Sequence, residues 1–296
     1  MNRTRKFISL LFFPIQRFGK NTKKIVTYSP LPNPHNSLFV TIGLVGFLWP
    51  LKKSKSEESN VNIEKTVVVN DKLSIADDLF ENGKYDECYN LLLSLANKDD
   101  IEIIWRTCRV MYNIAKESKD KNQKRSLTIK AYDMIFQTLE KAGDNHAVQK
   151  WYAILLDAKS NYDGIKERIK QLEHVKKHMD LAVTLNPNDA TTLYMLGEWC
   201  YQVSEMPWYH RKLAETLFAS PPYSNYEDAL EYFLRAETVQ PRFYSLNLLK
   251  LGKCYLKLKK EDQAKYYLQL AASYPAKTND DHQANTEATD LLKNIK

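Results

Sequence analysis

The chain is poor in residues that break helices. Only 8 of its 296 residues are glycine and 11 are proline, and four of those prolines lie at or before residue 34. An all-β chain needs such breakers for its turns, so their scarcity excludes that class and favours helices. Four cysteines, Cys88, Cys108, Cys200 and Cys254, include no CxxC pair, and each sits in an apolar helical pattern. This argues for reduced core thiols facing a cytosol-like compartment rather than a disulfide framework or a zinc site. The sequence also lacks GxxxxGK, GxGxxG, GxSxG and HExxH, and its glycines are not clustered into a phosphate cradle. No catalytic constellation and no cofactor site can be assembled from it, so the expected function is non-enzymatic. His174 and His178 have the i, i+4 spacing of a chelating pair, but Lys176 and Lys177 stand beside them and no third ligand follows. A solvated helix face is the expected role.

Acidic residues are absent before Glu57. Residues 1–60 hold ten Lys/Arg against Glu57 and Glu58, so the net charge of +7 belongs to this segment and the remainder is near neutral. Nucleic acid is therefore not an expected partner. Residues 1–24 read either as a mitochondrial targeting segment, with Phe7, Ile8, Leu11, Phe12, Ile15 and Phe18 on one helical face, or as a basic tail. Residues 25–51 are uncharged and apolar, and between Pro34 and Pro50 they leave fifteen residues for a helix. That is about 22 Å against a hydrocarbon core of ~30 Å, so a membrane anchor here requires local thinning. Residues 52–70 read as a linker, and residues 71–296 as the folded helical domain.

Within that domain the segments "NGKYDECYNLLLSLA", "SNYEDALEYFLRAETVQP" and "KKEDQAKYYLQLAASYP" follow one scheme. A small residue (Cys88, Ala229, Ala264) precedes a large apolar one by four positions (Leu92, Phe233, Leu268). Small-then-large spacing lets two helices approach closely while the large side chain fills the neighbouring groove. With Ala131 and Val175 the ladder has spacings of 43, 44, 54 and 35 residues, against ~34 for a strict tetratricopeptide repeat. The expected fold is all-α, a tetratricopeptide-like helical superhelix of five degenerate repeats. "WRTCRVMYNIA" and "WYAILLDA" are read as first helices that begin at their tryptophans, and "KESKDKNQKR" (116–125) as a hairpin connection.

The spacing of 54 marks an insertion, Val203 to Pro222, between the two helices of the fourth repeat. It contains "WYHRKLAETLFA", expected to be a short helix. That helix is expected to act as a structural plug, packing Trp208, Leu213, Leu217 and Phe218 against Trp199 and Tyr201. Two basic features are candidates for an acidic partner: the stripe Lys250, Lys253, Lys257, Lys260, and Lys124 with Arg125 in the 116–125 segment.

The run "GEWCYQVSEMPWYHRK", together with "KWYAILL" and "SNYDGIK", resembles the regulator of microtubule dynamics family, over roughly residues 72–293. The resemblance implies a cytoplasmic, tetratricopeptide-like scaffold that binds microtubules (tubulin) or a spindle-associated protein, at the cytoskeleton and spindle pole. It also implies a mitochondrial location for relatives. The alternative is a membrane-anchored protein that binds, transfers or tethers through phospholipid.

Overall fold

The computed structural model describes residue 69 and residues 71–95 and 99–295. The readings made for residues 1–68 lie outside them, including the targeting segment and the anchor at 35–49. Among the described residues, all regular structure is helical: α1 (71–81), α2 (Tyr85–Ser94), α3 (Ile101–Glu117), α4 (Lys121–Leu139), α5 (His146–Tyr162), α6 (Ile165–Leu185), α7 (Ala190–Ser204), α8 (Trp208–Leu217), α9 (Tyr226–Val239), α10 (Ser245–Lys257), α11 (Glu261–Ala272) and α12 (Asn279–Leu292).

Side-chain caps set many of the boundaries. Asp100, Asp120, Asn145 and Asp189 accept backbone N–H groups at the starts of α3, α4, α5 and α7. Asn225 with Asp228, and Thr278 with Asp281, form reciprocal capping boxes at α9 and α12. These caps correct two expectations. Helices α3 and α5 begin four and five residues before Trp105 and Trp151, where Asp100 and Asn145 stand. The connection expected over 116–125 shrinks to 118–120, because Asp120 starts α4 at once.

The helices pair as α3–α4, α5–α6, α7–α9 and α10–α11, and α12 closes the array against α10 and α11, while α1 packs on α2 through Leu73, Ala76, Phe80, Cys88 and Leu92. The small residues Cys88, Ala131, Val175, Ala229 and Ala264 are all buried on the second helices. Four positions on, Leu92, Ile135, Met179, Phe233 and Leu268 are completely buried as well. The reason for the Leu-Gly pair of the first helices is visible here. A Cβ on Gly197 would stand 2.6 Å from the Phe233 ring, and one on Gly252 2.6 Å from Leu268. The large side chain of each second helix thus fills the space that glycine vacates on the first.

First helices also meet one another, α3 with α5 and α7 with α10, so they line one side of the superhelix. There Tyr112 packs edge-on to Trp151, and Tyr194 edge-on to Tyr244. Across this side Lys116 on α3 reaches Asp280 on α12 at 2.8 Å.

Candidate functional site

The lysine stripe of α10 runs from a buried Lys250 to an exposed Lys257. Lys250 is buried, its Nζ 2.9 Å from the Glu198 carboxylate and 4.4 Å from the centre of the Tyr201 ring. Lys253 pairs with Glu287 of α12 at 2.6 Å, and Lys257 with Glu205 at 2.7 Å. Burial pushes the Glu205 carboxyl up, but hydrogen bonds from Lys257 and Tyr226 outweigh it and hold the group below the ordinary glutamate value. The same bond from Lys257 to Glu205 raises the lysine. Lys260, at the N-cap of α11, is exposed. The expected basic stripe is therefore corrected. Three of its four charges are neutralised by glutamates on α7, its following turn and α12, which a single-helix reading cannot see.

The other basic feature lies at the turn between α3 and α4. Lys119, Lys121 and Arg125 are exposed and Lys124 is half-buried at the first turn of α4. The helix N-terminus adds its own partial positive charge there. Lys116, which begins the same segment, is turned away and tied to Asp280.

The insertion is organised differently from a plug on Trp199 and Tyr201. Trp199 is buried and its indole N–H donates to the Leu172 carbonyl on α6 at 3.0 Å. Tyr201 lies two residues on, which is about 200° around the helix, and meets Tyr226 and Lys250 instead. The two rings face different neighbours. Helix α8 packs on α6, with Ala214 buried and Leu213, Leu217 and Phe218 half-buried against the main core. Trp208 is 73% exposed and Tyr209 46% exposed. The reason is angular: five residues from Trp208 to Leu213 turn the helix by about 500°, which leaves the tryptophan some 140° off the buried line.

Between α6, the end of α7 and the start of α8 lies a cavity of about 80 Å³. Its walls are mostly apolar, with Arg168 and His210 among them. Arg168 is already held by Asp157 at 3.1 and 3.2 Å. This volume is well below the roughly 300–1,000 Å³ of a small-molecule site, so a phospholipid does not fit it.

Reactive side chains are accounted for structurally. All four cysteines are free and buried, and burial pushes the Cys108 and Cys254 thiols up to about 12 and those of Cys88 and Cys200 to about 11. Such thiols are not nucleophiles at neutral pH. His178 shares a hydrogen bond at 2.6 Å with the Gln149 side-chain oxygen, while the Gln149 amide donates to the Gly143 carbonyl. The Nδ1 of His178 must then be the donor. No group of three His, Cys, Asp or Glu arranged to hold a metal occurs among the described residues, and no helix there is long and apolar enough to cross a membrane.

A family model described as regulator of microtubule dynamics protein 1-3 matches residues 72–296, the whole array from α1 to α12. The chain belongs to the regulator of microtubule dynamics family. Within that family it is 43% identical to regulator of microtubule dynamics protein 1 of Mus musculus over 234 residues, covering 79% of this chain and 77% of the relative. It is 32% identical to regulator of microtubule dynamics protein 3 of Xenopus laevis over 224 residues, covering 74% and 48%. The fold of this family member is also that of a thermophilic tetratricopeptide protein of Thermus thermophilus. The TM-score is 0.54 and the identity 15%, over 75% of this chain and 99% of the other.

Proposed function

We propose that this protein is a non-enzymatic helical scaffold that binds microtubules and regulates their dynamics at the spindle and its poles, through the basic turn between α3 and α4. The observation that carries this reading is the distribution of charge within a family named for microtubule regulation. Glu198, Glu205 and Glu287 neutralise the α10 lysines, whereas Lys119, Lys121 and Arg125 remain exposed at the positive end of α4. Such a cluster suits an acidic, extended partner such as a tubulin tail, held by screened and salt-sensitive pairing.

The test is co-sedimentation of the full chain with microtubules. Binding is expected to fall as salt rises and to fall again when the acidic tubulin tails are removed by limited proteolysis. The pair Lys121→Glu and Arg125→Glu should weaken binding about tenfold, while Lys257→Glu should change it far less. Equal pelleting with and without microtubules would remove the reading, and loss of binding only on Lys257→Glu would move the surface to α10.

A further inference from the structure

The inserted helix leaves a cleft open beneath its first turn. Ile165, Ile169, Leu172, Val203, Met206 and Pro207 supply the apolar walls of the 80 Å³ cavity, which is about half the roughly 150 Å³ of an engineered cavity that takes up benzene. Space of that size and lining suits one branched aliphatic side chain. At the lip, Ile165 is 47% exposed, and Trp208 follows directly on the wall residue Pro207. Single exposed apolar residues are ordinary, but Ile165 stands in the cavity wall and the Tyr209 ring lies 4.5 Å from that of the wall residue His210, so the two border the apolar cavity as an anchoring surface.

The acidic neighbours of Ile165 are already paired, Asp163 with Lys159 and Glu167 with Lys170. Lys166 follows Ile165, and Arg211 and Lys212 follow the wall residue His210; none of the three makes an ion pair among the described residues. Inside the cleft the charges are balanced already, Glu205 by Lys257 and Arg168 by Asp157. Glu215 is the one acidic residue of α8.

We propose that the cleft between α6 and α8 is a docking site for an acidic peptide segment of a partner protein. The segment inserts one leucine-sized or isoleucine-sized side chain against Ile169 and Leu172, beside Tyr209, and its flanking acids meet Lys166 and Arg211. The site goes beyond the microtubule reading and uses different helices from the α3–α4 turn, so either can fail alone.

The test uses the full chain and a fluorescein-labelled peptide of seven residues, leucine flanked by three glutamates on each side, read by fluorescence anisotropy. Replacing the leucine of the peptide by alanine should weaken binding by about tenfold or more. Ile165→Glu puts a like charge on an already exposed lip position, so the fold is retained, and it should weaken binding at least as much. Ile169→Phe should block the cavity, with the melting temperature as the control for folding. No binding of the leucine peptide, equal binding of the alanine peptide, or full affinity in Ile165→Glu would each overturn the proposal. Trp208-dependent sedimentation with phosphatidylserine vesicles, without peptide binding, would overturn it too and assign this face to a membrane.

Discussion

Removal of Glu198 should expose how strongly the inward lysine of α10 depends on its partner. Both side chains are nearly inaccessible, at 10% for Lys250 and 6% for Glu198, and 2.9 Å separates them. An ammonium left in that position without its carboxylate keeps only the Tyr201 ring beneath it. Breaking a buried pair by deleting one partner removes about 3–5 kcal/mol, whereas an exposed pair contributes about 0–1 kcal/mol. Glu198→Ala is therefore expected to lower stability by about 3–5 kcal/mol. Glu205→Ala, whose pair with Lys257 is more accessible at 29% and 44%, should lower it by about 1 kcal/mol. Combining Glu198→Gln with Lys250→Met should restore much of the loss, since neither buried charge then remains. Urea denaturation of Glu198→Ala, Glu205→Ala, the double variant, its two single components and the parent, followed by far-ultraviolet circular dichroism, measures each difference. Additive single and double effects, or a Glu198→Ala loss no larger than that of Glu205→Ala, would refute a buried, mutually dependent pair.

Tryptophan positions offer a second contrast. Trp199→Ala should lower stability by about 3–5 kcal/mol, but Trp208, with about a quarter of its surface covered, should lose under about 1 kcal/mol on the same change; equilibrium denaturation of both decides. Lys259 occupies left-handed space at φ 57° between α10 and α11, so Lys259→Gly should raise the urea midpoint, equivalent to about 1 kcal/mol. Gly252→Ala, forced against Leu268, should lower it by about 1–3 kcal/mol. Asp77, Glu205 and Asp281 are held below their ordinary values: burial alone would raise each, and hydrogen bonds, with arginine or lysine charges beside Asp77 and Glu205, outweigh it. Their contribution is complete above the unfolded carboxylate range and should be lost as pH falls below about 4; a thermal-melt series across pH 3–7 checks that sign.

The repeat architecture was legible because it rests on short-range spacing. Cys88 to Leu92 and Ala229 to Phe233 report helix–helix contact through a four-residue offset within one segment. Charge was harder to read. A run of lysines at 3, 4 and 3 looks like a solvated stripe until the opposing helix is known. One signal was present: Glu198 and Glu205 are seven apart, as are Lys250 and Lys257, so two helices in register can pair twice. Nothing local announced that register, which arises between α7 and α10, whose paired residues Glu198 and Lys250 stand 52 positions apart. The orientation of Trp208 failed for a simpler reason. Counting apolar residues in a ten-residue helix hides a 140° error in angle.

The bond between Lys116 and Asp280 adds a long-range tie to this solenoid. Repeat arrays usually behave as chains of neighbours, each unit aware only of the next, so that unfolding can begin at one end and stop part-way. Here residues 164 positions apart are in contact, one ion pair joining the second helical layer to the last. At 27% exposure on each side the pair contributes on the order of 1 kcal/mol, so it works as a latch between distant layers while α3 stays packed on α2, α4 and α5.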